Sequence, residues 1–452
     1  MDAAVSPPIQ CLSHARARTT ASHGADSRQY RRLFPTVPSF DTTDKFLFSL
    51  GRTGGACDCT DDVDTAASDA SGAAGWPIFG QFVAHDITAD RSAPQHHSQL
   101  AALRNAHAPQ LNLESLYGDG PAGHPFLYER NDPARFLLGK GGDDVQRNVE
   151  GIAVIGDPRD DSHLLVSQLH LAFLKAHNAF VEQARASGVN PALVFDEAAR
   201  QVRWTYQWIV ANEFLPTLVG RDVVKKILSE PPHFPDFVRE PFIPLEFADA
   251  AYRYGHSQIR HRYRLNHGGE SFALFPELVG FQPVPPERRV DWTLFFDVPG
   301  SANAQRAKKM DGRLVRSLIT LPEAVTGHCD PDDLRSLAVR DLMRGQGVGL
   351  PSGEALSRHL GIEPLSSEEV GLSSDGASGG TPLWYYLLRE ADVRDGGNRL
   401  GPLGGHIVAE VLIGLLRADR STFLNADPHW KPGYPGEQPG LASLIAWAES
   451  SS

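Results

Sequence analysis

Cysteine is scarce. Four occur in 452 residues, at Cys11, Cys57, Cys59 and Cys329. That is too few for a secreted disulfide framework, so a reducing compartment is the default expectation. The pair Cys57 and Cys59 has no second close pair to complete a thiolate metal site, and the segment reads as loop. Positive charge is in deficit as well. Lys and Arg number 43 against 55 Asp and Glu, a formal net charge of -12, which disfavours nucleic acid as a partner. Long apolar runs are missing too. Ile407 to Leu416 is interrupted by Glu410 and has about half the length of a membrane span. Met1 to Arg32 carries Ser, Pro, Arg and His without the apolar core of a secretory signal, so a soluble, cytoplasmic protein is expected.

Alternating strand patterns are rare, whereas helical periodicity recurs. It appears over Trp76 to Ile87, Ser162 to Ala186, Phe195 to Phe214, Leu245 to Ile259, Leu334 to Arg344, Leu383 to Ala391 and Gly405 to Arg417. With 42 Gly and 33 Pro among 41% hydrophobic and 22% charged residues, the composition is that of a globular protein with many loops. The expected fold is mainly α: one large helical domain over 31–452 with long ordered loops and little sheet, behind a flexible tail at 1–30. Gly51 to Gly72 reads as a loop, and a flexible loop is expected near 364–381.

Four segments carry chemistry. In Trp76 to Thr88, Pro77 suits the first helical residue, Gln81 and His85 share a face four residues apart, and Asp86 points elsewhere. Read alone, His85 is better explained as a satisfied core histidine. In Gly156 to Asn178 an Asp-Pro turn precedes a helix that Asp160 or Asp161 can cap. Arg159 then stands at the helix entrance, where a guanidinium can meet an anion or a polarised oxygen. His170 and His177 on the same helix read as core or capping residues. In Phe247 to Ile259, Arg253 and His256 lie three apart on one face, with Gly255 removing bulk beside the histidine. A histidine there can bind an iron axially while the arginine pairs with a carboxylate arm. In Leu337 to Gly353, Asp341 and Arg344 are again three apart. A carboxylate accepting the far ring proton of a ligating histidine is a common supporting device.

Taken together and in order, these segments resemble the haem peroxidases of the peroxidase-cyclooxygenase (animal-type) superfamily, and look closest to its bacterial members. The resemblance runs from about Tyr30 to Pro432. It includes Leu111 to Gly118, Val290 to Asp297, Pro382 to Tyr386 and Leu400 to Gly405. It implies His85 as the distal histidine with Gln81 beside it, Arg159 as the distal arginine, and His256 as the proximal iron ligand. Arg253 and Arg344 become the propionate partners, and Asp341 the partner of the proximal histidine. The implied activity is reduction of hydrogen peroxide by heterolytic O–O cleavage, with oxidation of a small reducing substrate or halide, as in a response to oxidative stress.

Departures from the family pattern matter. Gln81 and Ser162 stand where mammalian members have the carboxylates that form esters to the haem, so haem b held non-covalently is expected. Asp86, Asn112 and Glu114, with Ala108 and Gln110, occupy the positions of a calcium loop, weakened by a neutral Asn and a missing hydroxyl. Three other readings compete. A haem fatty-acid dioxygenase of the same superfamily would carry a radical tyrosine three residues before the proximal histidine, where Arg253 stands between Tyr252 and Tyr254. A metal-dependent phosphohydrolase built on His85 and Asp86 would leave the other motifs unexplained. A non-catalytic haem carrier has no use for the pair of His85 and Arg159.

Overall fold

A 23-residue helix that is apolar almost all round must be surrounded by protein. Leu164–Ala186 is such a helix: from Leu164 to Val181 only Lys175 is not buried. A computed structural model describes residues 28–59, 65–89, 103–298, 304–372, 379–436 and 438–451. We label its principal helices α1 (Gly75–Ile87), α2 (Leu164–Ala186), α3 (Val194–Ile209), α4 (Leu337–Gly347), α5 (Leu383–Asp395) and α6 (Pro402–Ala418). α2 packs against α1, α3 and the Leu441–Ser450 helix. The α1–α2 contact is aromatic, with Phe82 stacked on Phe173 at 4.8 Å between ring centres and Tyr206 of α3 edge-on to both. One core joins these helices to α4, α5 and α6. Among the described residues, sheet is confined to four two-stranded pieces. No helix among the described residues is long and apolar enough to cross a membrane.

The mainly α expectation holds, with local corrections. Gly51 to Gly72 is more than loop: Asp58–Cys59 pairs in parallel with Leu314–Val315, and Asp69–Ala73 pairs antiparallel with Arg306–Lys308. Strands this short show no periodicity to read. The stretch near 364–381 contains the helix Ser367–Val370, closed by a capping box between Ser366 and Glu369, and Thr381 is bonded to Glu354; residues 373–378 lie outside the described residues. Most of the proposed tail, 1–27, also lies outside them, but Gln29 bridges to Arg104 and Tyr30 is buried in the core.

The segment from Phe195 to Phe214 is not one regular helix. After α3 the chain widens into a π-turn at Val210–Phe214 before Leu215–Val219 resumes, just ahead of Pro216, whose ring and missing N–H disturb a regular α-ladder. Leu245 to Ile259 also divides. It is α-helical over Leu245–Ala248 and a 3₁₀ helix over Ala251–Gln258, because Ala250 leaves helical backbone angles. A 3₁₀ helix has three residues per turn, so Arg253 and His256 eclipse one another more closely than on an α-helix. The cap of α2 differs as well. His163, not Asp160 or Asp161, accepts from Leu165 N, while Asp157 caps the Pro158–Asp161 turn. Pro77 is the third residue of α1, not the first.

Candidate active site

One large cavity, of about 570 Å³, opens among α1, the Pro158–Asp161 turn, the Ala251–Gln258 helix and α4. Gln81, His85, Arg159, Arg253, His256 and Arg344 all line it. Two further clefts hold only about 20 and 10 Å³. Gly255 also borders the cavity, and a Cβ there would meet no atom within 4 Å, so the missing side chain is space left open. On α1, Gly80 brings Tyr254 close: a Cβ at Gly80 would lie 3.1 Å from its hydroxyl.

On the distal side, His85 Nδ1 is 2.7 Å from Asp160 Oδ1, and the other oxygen of the same carboxylate is 2.8 Å from His170 Nδ1. Asp160 and His170 are fully buried. Burial pushes the Asp160 carboxyl up, but the bonds to the two imidazoles outweigh it and bring it down to about 2, so the group is an anion. An anionic acceptor calls for a proton on each Nδ1, so in a neutral imidazole the nitrogen left to accept is His85 Nε2. Arg159 is held by Asp157 through Nε and Nη2 and donates from Nη2 to the His85 carbonyl at 2.8 Å. Burial raises the Asp157 carboxyl, yet its bonds to Arg159 bring it below the ordinary value. The histidine and the guanidinium are thus fixed relative to one another.

On the proximal side, His256 Nδ1 lies 2.6 Å from Asp341 Oδ2. Asp341 is buried, and its second oxygen accepts from Arg253 Nη1 at 3.1 Å. Burial opposes the charge on Asp341, but His256 and Arg253 together hold the carboxyl below its usual range. Neither Arg340 nor Arg344, its neighbours on α4, supplies these bonds. Arg253 also donates to Ala248 O and Asp249. Arg344 Nε is 3.4 Å from the same Asp249 oxygen.

Asp157, Asp160 and Asp249 support the candidate site and were missed by the sequence reading, Asp157 having been read only as part of a turn. Asp160 was visible only as a cap. Asp249 offered a weak signal, four residues before Arg253. His177 is a core residue as expected: it is buried against Tyr117 Oη at 3.1 Å and Ala134 O at 2.8 Å. Asp161 is committed elsewhere, to Arg147 through both oxygens and to Ser167.

Near the end of α1, Asp86 is fully buried, and neither of its carboxylate oxygens has a hydrogen-bond partner. Burial pushes its pKa up to about 7; the Leu113 amide and the Tyr206 hydroxyl lie near enough to oppose that shift without closing a well-formed hydrogen bond to the carboxylate. The other calcium candidates are engaged locally. Asn112 Oδ1 accepts from Glu114 N, and Glu114 Oε2 accepts from Ala108 N.

Residues 94–370, more than half of the chain, match the animal haem peroxidase family model. The chain belongs to the animal haem peroxidase family. That span contains Arg159, Arg253, His256, Asp341 and Arg344, while Gln81, His85 and Asp86 lie just upstream. The chorion peroxidase of Aedes aegypti is 25% identical over 300 residues, 64% of this chain and 36% of that protein. The heme peroxidase 2 of Caenorhabditis elegans is 31% identical over 123 residues, 25% of this chain and 17% of its own length. The chain therefore spans about a third or less of these relatives. Among solved structures, peroxidase A from Dictyostelium discoideum superposes with a TM-score of 0.60 at 15% identity, covering 97% of this chain and 94% of that one. A fatty acid alpha-dioxygenase from Arabidopsis thaliana gives 0.62 at 14% identity, covering 92% and 75%. At such identities the likeness establishes the fold.

Proposed function

We propose that this chain is a haem-dependent peroxidase that reduces hydrogen peroxide and oxidises a small donor. The observation that carries the reading is the convergence on one cavity of two aspartate-backed histidines and a fixed arginine. The residues fit haem: the space beside Gly255 is open, His256 has its Nδ1 proton engaged and Nε2 left to bind a metal, and Arg344 and Arg253 border the same cavity as cations for the propionates. Haem, when bound, supplies the iron and the electron-transfer chemistry.

The protein's own residues do the rest. His85 Nε2 takes a proton from one peroxide oxygen and returns it to the other, as base and then acid. Asp160 holds that imidazole in the tautomer the first step needs. Arg159 faces the oxygen on which negative charge grows, and Asp157 keeps it from turning away. His256, backed by Asp341, would hold the iron, while Arg253, which borders the cavity, divides its donors among Asp341, Asp249 and Ala248 O. Arg253 also fills the place where a dioxygenase of this superfamily would need its tyrosine.

Haem is held without ester bonds. Gln81 and Ser162 offer no carboxylate, while Asp160 and Asp161 are bound to His85, His170, Arg147 and Ser167. Acidified organic solvent should extract the haem from denatured protein, and retention would contradict this. Calcium belongs to the same reading, since the orphaned oxygens of Asp86 are what a cation would satisfy. Chelation should lower the melting temperature of protein prepared with calcium. The activity itself is tested by loading the protein with haem and following oxidation of a phenolic donor. Turnover that requires both haem and peroxide is expected, and none under any condition would leave a haem carrier.

A further inference from the structure

Away from the cavity, one face of α6 carries metal-ligating side chains that the proposed reaction does not use. His406 and Glu410 are four residues apart on α6 and share a face. His233, just before the Pro235–Arg239 helix, reaches over them. Its Nδ1 is 3.4 Å from Glu410 Oε1, and its ring centre is 5.0 Å from that of His406. One ligand atom from each of the three lies within 4.8 Å of the others.

Their local bonding leaves them poorly served. Among the described residues, His406 makes ring contacts with His233 and Phe234 only, and Glu410 is met by the His233 backbone amide and, at a long 3.4 Å, by its ring. The Glu410 side chain is only 7% accessible, so its charge is removed from most of the water that would otherwise solvate it. Phe234 shields the other side, its ring centre 6.0 Å from that of His406. Lys226 and Arg417 lie close enough to act on the cluster and oppose a cation, while Glu230 favours one. Arg417 is turned to the carbonyls of Ile227, Leu228 and Glu230. Two imidazoles and a carboxylate are a common donor set for zinc, which would bond to all three at once.

We propose that His233, His406 and Glu410 form a zinc-type divalent-cation site. Its fourth position opens to solvent beside His233, whose side chain is 58% accessible. The ion would tie the chain around His233 to α6 and act as a clamp outside the haem cavity.

The test uses untagged, haem-loaded full-length protein, stripped with a chelator and titrated with zinc alone. Calorimetry should give one strong site per chain, and X-ray absorption at the zinc edge should show two imidazole nitrogens. His233→Ala alters an exposed side chain, and His406→Ala removes a second ligand. Each should weaken binding at least tenfold while leaving the haem spectrum unchanged. Should His406→Ala fail to fold, His233→Ala decides alone. Wild-type affinity in the variants, no zinc bound by the parent, or an absorption edge without imidazole would each overturn the proposal.

Discussion

The two histidines of the cavity are supported alike and differently. Each gives its Nδ1 proton to a buried aspartate, yet Asp160 divides its oxygens between two imidazoles, whereas Asp341 divides its own between an imidazole and a guanidinium. The distal aspartate is answered by imidazoles alone. The proximal one meets a permanent cation in Arg253. The difference suits the roles we assign. A base that must take and return a proton benefits from an anion behind it, while an axial ligand needs a steady orientation and a tempered push.

The proximal pair should give the largest effect. His256→Ala should remove the axial ligand and with it the ferric-histidine spectrum of the reconstituted protein. A retained spectrum would transfer the role to another residue. The distal set should act on rate and spare haem binding. His85→Ala should slow peroxide cleavage by roughly 10²–10⁴-fold and Arg159→Ala by roughly 10²–10³-fold, with the Soret absorbance per chain little changed. Stopped-flow mixing with peroxide reads this, and haem loss at an unchanged rate per haem would reverse the assignment.

Asp160→Asn separates the two sides further. The amide can still accept a bond from His85, but its charge is gone and its NH₂ faces the His170 proton. Peroxide cleavage should slow by about tenfold or more. Stability should also change with pH in a defined way. The Asp160 carboxyl sits near 2 in the folded protein against an ordinary 3.8, so its contribution is present above about 3.8 and lost as pH falls toward 2. A shift of that size corresponds to about 2 kcal/mol. Wild type should therefore lose its advantage over Asp160→Asn on acidification, and a constant difference down to pH 2 would show that the carboxylate is not the ionised partner of the two histidines.

The contrast also explains what could be read from the residues alone. Asp341 was legible because it lies three residues before Arg344 in a segment of recognisable order, and the helix around it is regular. Asp160 was not, because an aspartate ahead of a helix is ordinarily a cap, and only the close approach of α1 brings His85 within 2.7 Å of it. The long helices were legible by their 3.6-residue period. The 3₁₀ geometry around His256 was not, since a spacing of three fits both helix types, and the break at Ala250 leaves no trace in composition. Strands of two to five residues were too short to announce themselves.

The smallest effect is the one that tests the tempering role of Arg253. A bond to a charged acceptor is worth roughly 1 kcal/mol more than one to a neutral acceptor. At about 2.3 kcal/mol per 100 mV for one electron, that difference is roughly 40 mV. Asp341→Asn should therefore raise the reduction potential of the iron by an amount of that order, because a neutral acceptor draws less density into His256 and the ferric form loses support. Arg253→Met should do the reverse and lower the potential by a smaller amount: the carboxylate would then face the imidazole without a competing cation, although Arg253 also holds Asp249 and Ala248 O. Redox titration of the three haem-loaded proteins decides between the possibilities. Opposite shifts support a carboxylate whose charge is shared between His256 and Arg253. A rise in Asp341→Asn with no change in Arg253→Met would mean that the arginine only positions the aspartate. An unchanged potential in both would mean that the 2.6 Å bond orients the ring without tuning the metal.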